Sequence, residues 1–344
     1  MPAKTNRVAK RATLASVARS AGVSIATVSK VLNGRSDVSP RTRVRVQELL
    51  DQHDYVAPVL RRTETPQRPT IELQFEGEFR SYAAEALEGI LEAAAELGVS
   101  VVISKPDHGP HWARDLVLAG RRALIAVTTV YTAAHLDALD RAGLPLVVLD
   151  PLHLPHTGVT SVGATNFAGG LAATQHLLSL GHQRIAYLGG PAMAACNQAR
   201  MHGYRAAMEA ESMPIPASYV RHGEFTYQSG LQGAAALLDL AEPPTAIFAG
   251  NDEIALGVIE TARTRGRPIP EDLSIVGFDD TLLARMASPS LTAVRQPLRE
   301  MGAVALRTAL RLANGEKIES HHVELATQLV VRDSTAPPGH AGRR

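Results

Sequence analysis

Apolar positions in the first third of the chain recur at helical spacing, stop, and recur again. Leu14, Val17 and Ala18 stand at i, i+3 and i+4 behind Thr13, a residue type suited to capping a helix. The run breaks at Gly22, Val23 offers an apolar plug for the turn, and Ser24 opens a second run in which Val28, Val31 and Leu32 face inward. Ile25, Ala26, Ser29 and Lys30 are left on the outward face. Two short helices about a tight turn, the second one small and polar, make a helix-turn-helix whose second helix suits a DNA major groove. Ser39 then caps a third helix with Pro40 in its first turn, where a missing amide hydrogen costs little. Val44, Val46, Leu49 and Leu50 are expected to close a three-helix core.

From Thr70 the period changes. Short apolar runs at 99–103, 123–127, 146–149, 184–188, 245–248 and 273–276 read as strands. Between them, 83–97, 133–142, 166–180, 204–211, 229–240 and 253–264 carry Ala- and Leu-rich helical spacing. A repeated strand-then-helix order predicts parallel sheets covered by helices on both faces, and roughly 270 residues is large for one such sheet, so two lobes are expected. Ligands in such sheets bind beyond the carboxyl ends of strands, and polar residues gather there: Asp150 after one run, Asn251 after another, Asp279 after a third.

Charge separates the two halves. Lys and Arg total 35 and Asp and Glu 34, yet residues 1–62 hold twelve bases against four acids, a local +8 that leaves −7 for the remainder. An ordinary helical hairpin has the same apolar spacing, but a basic end on an otherwise acidic chain suits phosphate binding. A glycine pair at 189–190 makes no dinucleotide fingerprint, no phosphate-loop pattern occurs, and none of the thirteen histidines has a metal partner at ligand spacing. We therefore expect no enzyme, no cofactor and no metal. One cysteine, Cys196, precludes an internal disulfide. With no apolar run long enough for a bilayer span, a cytoplasmic protein without membrane contact is expected.

The run V-S-I-A-T-V-S-K-V-L-N-G followed by D-V-S-P-R-T-R resembles the headpiece of the lactose-repressor (LacI/GalR-type) family of bacterial transcription regulators. Further segments, G-H-Q-R-I-A-Y-L-G-G-P, A-G-N-D-E-I-A-L-G, S-I-V-G-F-D-D and S-P-S-L-T-A-V-R-Q-P, extend the resemblance over roughly residues 12 to 335. It implies an all-α helix-turn-helix headpiece at 1–57 and a linker at 58–69. An α/β, periplasmic-binding-protein-like effector and dimerisation domain at 70–335 would follow. That domain would hold a first lobe of about 70–164 plus 298–324 and a second of about 165–297 plus 325–335, with a disordered tail at 336–344.

Residue by residue, the resemblance puts Ile25, Ala26 and Lys30 against base edges, with Ser29 on the same face. Ser24, Thr27, Asn33 and Arg41 fall among the DNA contacts, the first three suited to phosphates. The linker departs from the family: Pro58, Pro66 and Pro69 discourage one long hinge helix, and Glu64 stands near the position of the family's wedge leucine. Leu60 could substitute, or Arg61 and Arg62 could lie in the minor groove as a basic arm. In the cleft the resemblance places Asp150, Arg200, Asn251 and Asp279, with Phe225 and Gln296 beside them. Phe75 and Tyr82, early in the first lobe, could add ring surface, although single aromatics are more often core. Carboxylates, amide and guanidinium beside an aromatic ring suit a polyol, although Arg200 and Asp279 could instead form a structural ion pair across the lobes. The expectation is a repressor of carbohydrate-utilisation genes that binds a pseudo-palindromic operator as a homodimer and is released by a mono- or oligosaccharide. A corepressed regulator answering to another metabolite, and a DNA-independent sugar sensor, remain as alternatives.

Overall fold

The computed structural model describes residues 14–32, 35, 38–52, 68–107, 109–153 and 158–339. By compactness the chain separates into two units, residues 1–68 and 69–344.

The first unit contains helices α1 (Leu14–Ala21), α2 (Ile25–Leu32) and α3 (Pro40–Gln52). Their shared core is Val17, Ala18, Ala21, Val28, Val31, Val38, Val46 and Leu50, with Leu14, Val23 and Leu49 packed at its margin. Of the three expected caps, Thr13 lies outside the described residues and the other two form: the Thr27 amide donates to Ser24 Oγ at 3.1 Å and the Thr42 amide to Ser39 Oγ at 3.2 Å. Val44 corrects the expectation, because it is 58 % exposed. On α3 it stands two residues before the buried Val46, which turns it to the opposite face. The linker expectations at 58–67, including Leu60, Arg61, Arg62 and Glu64, lie outside the described residues, as does Asn33.

The second unit alternates strand and helix. Its elements are β1 (Thr70–Phe75), α4 (Ser81–Leu97), β2 (Ser100–Ser104), α5 (Trp112–Leu118), β3 (Arg121–Val127), α6 (Ala133–Ala142), β4 (Leu146–Leu149) and β5 (Thr160–Ala164). Then come α7 (Asn166–Ser179), β6 (Ile185–Gly189), α8 (Ala195–Ala210), β7 (Val220–His222), α9 (Tyr227–Leu238), β8 (Ala246–Ala249), α10 (Asp252–Thr264) and β9 (Ser274–Asp279). The last are α11 (Leu282–Met286), β10 (Thr292–Arg295), α12 (Leu298–Ala313), β11 (His322–Leu325) and β12 (Gln328–Val330).

Two six-stranded sheets result, with orders β11-β5-β4-β3-β1-β2 and β12-β10-β9-β8-β6-β7. The chain passes between them three times, after β5, after β10 and after β11. Each sheet has the same doubly wound order and takes its sixth strand from the C-terminal segment, β11 in parallel and β12 antiparallel. Helices cover the sheets by close approach at glycines. A Cβ on Gly89 of α4 would lie 1.8 Å from the Arg299 carbonyl of α12, and one on Gly170 of α7 would lie 2.3 Å from the Arg200 carbonyl of α8.

Several elements differ from the sequence expectation. Helix α8 begins nine residues before the expected 204, which brings Arg200 into its second turn. β11 runs through Leu325, so the last crossing falls after that residue. Residues 336–339, expected in a disordered tail, sit on the second sheet. The Ala336 carbonyl accepts from Ser274 Oγ at 3.0 Å and meets the His182 ring at 2.9 Å, while the Ala336 amide donates to Ser274 Oγ at 3.0 Å.

Candidate functional site

In the first unit, α2 presents the face expected to read DNA. Ile25 is 52 % exposed, and Ala26 and Lys30 are also exposed. Ser29 corrects its expected outward placement in part, since it is half-buried. Ser24 is exposed, but its hydroxyl is already engaged in capping α2 and lies 2.9 Å from Thr27 Oγ1. Arg41 is exposed at the start of α3, where donors at a helix N-terminus favour an anion. Arg43 is held by the Arg35 carbonyl.

In the second unit a cavity of about 410 Å³ is lined by residues from both sheets. Seven of the eight expected cleft residues line it: Phe75, Tyr82, Asp150, Arg200, Phe225, Asn251 and Asp279. Gln296 does not. It stands behind the cavity and donates through Nε2 to Asp279 Oδ1 at 2.7 Å, so it orients a carboxylate.

Arg200 is the centre of the arrangement. It is 3 % exposed, donates through Nε to Asn166 Oδ1 at 2.8 Å and through Nη1 to the Gly250 carbonyl at 2.6 Å, and lies 3.7 Å from Asp279. Its guanidinium stacks over Phe278 at 3.8 Å from the ring centroid and stands 5.7 Å from that of Phe225. Asp279 follows from β9 on the same sheet, so the pair does not cross the lobes. Burial opposes the Arg200 charge, yet the acidic groups around it, Asp279 and Asp150 among them, more than offset it and hold the guanidinium protonated.

The two carboxylates sit where strands end. Asp150 follows β4 with φ of 50°, and Asp279 closes β9 with φ of 100° and is followed by Asp280 at 57°. Such left-handed geometry is costly for residues other than glycine and persists where surroundings enforce it. Here Asp280 is fixed by Arg295 at 2.7 Å and Arg332 at 2.6 Å. Burial raises the Asp279 pKa to about 7, with Arg200 and the Gln296 hydrogen bond working the other way. Burial likewise raises Asp150, opposed by Arg200 and by the Tyr82 hydroxyl, which donates to Asp150 Oδ2 at 3.1 Å. Cys196 lines the cavity, and burial pushes its thiol up to about 12, so it is an inert small group there.

Asn251 has two tasks. Its Oδ1 accepts the Ile254 amide at 2.9 Å to cap α10, and its Nδ2 donates to the Phe225 carbonyl at 3.4 Å. The sequence reading missed Arg80, which bridges the two sheets' contributions by donating to Glu253 at 2.6 Å and to Glu78 at 2.7 Å. It also missed Asn166, which steers Arg200. Nothing in their local sequence marks either residue for the cleft, because the partner that brings each one there is distant in the chain, Glu253 for Arg80 and Arg200 for Asn166.

The described residues hold no group of three or more His, Cys, Asp or Glu able to bind a metal ion, and no helix among them is long and apolar enough to cross a membrane. Acids, an amide and a buried guanidinium around an aromatic-walled cavity offer the donors and acceptors that a hydroxyl-rich ligand needs.

Comparison with known proteins agrees. Residues 13–57 match the model of the lacI family of bacterial regulatory proteins, and residues 174–335 match the periplasmic binding protein-like domain. The chain is 36 % identical over 335 residues to the HTH-type transcriptional regulator DegA of Bacillus subtilis, covering 95 % of this chain and 99 % of that one. It is 35 % identical to the HTH-type transcriptional regulator CelR of Thermobifida fusca, over 94 % of this chain and 98 % of that one. A solved CelR–cellobiose complex superposes with a TM-score of 0.70 at 34 % identity, covering 94 % of this chain and 100 % of that one. The lac repressor dimer bound to operator and the anti-inducer ONPF gives 0.73 at 28 % identity, covering 95 % and 100 %. The chain belongs to the lacI family of bacterial regulatory proteins. It is a DNA-binding transcriptional regulator and not an enzyme.

Proposed function

We infer that the protein represses carbohydrate-utilisation genes in the cytoplasm, binding a pseudo-palindromic operator as a homodimer and leaving it when a mono- or oligosaccharide fills the cleft. The observation that carries this reading is the buried Asp150–Arg200–Asp279 cluster lining one cavity with Phe225. Carboxylates accept from vicinal hydroxyls, the guanidinium and Asn251 donate to ring and hydroxyl oxygens, and an aromatic face covers the apolar side of a pyranose. The cellobiose in the CelR complex supports the same ligand class. One short recognition helix reads too few bases to select a genomic site, so two copies on a symmetric site are needed. Coupling of about 1–3 kcal/mol between sugar and DNA changes operator affinity by roughly 5- to 150-fold, and DNA changes sugar affinity by the same factor.

The test is fluorescence anisotropy on the DNA upstream of the protein's own gene, at two salt concentrations, followed by titration with mono- and disaccharides. Tight, salt-sensitive binding released by one sugar is expected. Binding that appears only when ligand is added reverses the sign of regulation. In the same assay Lys30→Ala alters which sequences bind, by about 1–3 kcal/mol at one position, whereas Arg41→Ala weakens matched and scrambled DNA alike. Equal losses on both DNAs for Lys30→Ala would remove its base-reading role.

A further inference from the structure

The charge of the cleft says more about its ligand than the polyol chemistry alone. Six carboxylates line the cavity: Glu76, Glu78, Asp150, Glu224, Glu253 and Asp279. Only two cations, Arg80 and Arg200, line it with them. Arg80 is fully committed to protein acceptors, and Arg200 in all but one nitrogen, Nη2. Arg80 donates through Nε and Nη2 to Glu78 Oε2, at 3.1 and 2.7 Å, and through Nη1 to Glu253 Oε2 at 2.6 Å. Every nitrogen of that guanidinium therefore has a carboxylate oxygen. Arg200 is held by Asn166 and the Gly250 carbonyl and has Asp279 at 3.7 Å. Lys105, the next cation behind the Glu76–Glu78 loop, is bound to the Gly77 carbonyl and is not part of the lining.

An anionic ligand entering this cavity would meet a surplus of like charge, the four glutamates alone outnumbering the two arginines, and a single guanidinium nitrogen without a protein acceptor, Arg200 Nη2. A neutral polyol meets acceptors for its hydroxyls and no such penalty. Arg80 comes from the segment after β1 and Glu253 from α10, so their ion pair spans the cavity from one sheet's side to the other's.

We propose that the cleft selects an uncharged sugar and rejects phosphorylated sugars and sugar acids, and that the Arg80–Glu253 pair contributes to this by keeping Arg80 occupied. The proposal rests on the sugar-effector reading above and narrows it. Specificity here comes from repulsion built into the lining as much as from attraction.

The test is calorimetric titration of the full-length protein with matched probes: neutral hexoses and disaccharides such as glucose and cellobiose, each set against its 6-phosphate and its acid form. The neutral member is expected to bind at least roughly tenfold more tightly than either anionic partner. Two double variants locate the cause. Glu78→Gln with Glu253→Gln releases Arg80 and removes two negative charges, and is expected to recover anionic binding by roughly tenfold. Arg80→Gln with Glu253→Gln removes the pair but keeps the charge surplus, and is expected to go on rejecting anions. An anionic probe that binds the unaltered protein as tightly as its neutral partner overturns charge selection while leaving the sugar reading intact. Unchanged rejection in the first double variant overturns the role given to Arg80. Binding of no carbohydrate of any charge removes the sugar reading and this inference with it.

Discussion

The two sheets of the second unit share one strand order but contribute unequally to the cleft. The second sheet's lobe supplies Arg200, Asn251 and Asp279, tied together by Asn166, Gln296 and the paired Asp280. The first supplies Phe75, Tyr82, Asp150 and Arg80, whose polar links are fewer: the Tyr82–Asp150 bond and the Arg80 ion pairs. Equivalent topology has thus produced a preassembled half and a half with fewer polar links. Rigid placement of the polar groups on the first of these lowers the ordering cost of binding.

The largest expected effect comes from the centre of the preassembled half. Arg200→Ala leaves Asp279 and Asp150 buried without their cation, and breaking a buried pair from one side typically costs about 3–5 kcal/mol. Thermal unfolding of the second unit should fall accordingly, the sugar response should vanish, and operator binding at temperatures below that transition should persist. Retained release at unchanged sugar concentration would show that the preassembled half is not the binding half.

The glycine contacts sharpen the same contrast. Gly170→Ala and Gly89→Ala each force a methyl group against a neighbouring backbone carbonyl, and overpacking of this kind costs about 1–3 kcal/mol. Both should lower the melting temperature. Gly170→Ala also displaces the Arg200 backbone, so it should weaken sugar binding, while Gly89→Ala, set against Arg299 on α12, should leave affinity per folded molecule unchanged.

How far the sequence disclosed this arrangement depended on whether a residue's role was local. The headpiece was legible because caps, a turn and apolar spacing within forty residues determine it, with Val44 the exception once α3's buried face proved narrower than its apolar content. β1 was not picked out, since Glu72 and Gln74 break its apolar run. The fold buries both, Glu72 against Arg121 at 2.7 Å and Gln74 against the Tyr131 hydroxyl at 2.7 Å. α12 also escaped, although Leu298, Met301, Ala305, Leu306 and Ala309 carry a clear helical stripe and all lie in the first lobe's core. In the cleft, strand-end position and resemblance together pointed to seven lining residues. The left-handed backbone at Asp150 and Asp279, the supporting place of Gln296 and the Arg80 pair depend on distant partners, which local pattern does not encode.

Asp279 gives the preassembled half a pH signature. Its pKa, raised by burial to about 7, exceeds that of the unfolded chain, so the protonated acid is the form the folded protein favours. Its contribution to stability is therefore greatest below the unfolded value near 3.9, declines as pH rises toward 7 and is level above that. Sugar hydroxyls donating to this carboxylate need the opposite form. Sugar affinity should rise with pH by up to about tenfold per unit, about 1.4 kcal/mol, up to pH 7 and then flatten, with proton release measurable by titration in buffers of different ionisation enthalpy. Asp279→Asn should abolish the slope. A slope that survives in this variant would assign it to another group.

The smallest effect separates two tasks of one residue. Asn251 caps α10 through Oδ1 and reaches the Phe225 carbonyl through Nδ2. Asn251→Ala should cost about 1 kcal/mol of stability, the usual value of a lost cap, and should weaken sugar binding as well. Asn251→Ser keeps an acceptor for the Ile254 amide but loses the amide donor, so stability should return to within a few tenths of a kcal/mol while sugar affinity stays low. If the serine variant restores both, the cavity uses Asn251 only to hold α10 in place. If it restores stability alone, the amide itself meets the ligand, and a single side chain links the rigidity of the preassembled half to the recognition it performs.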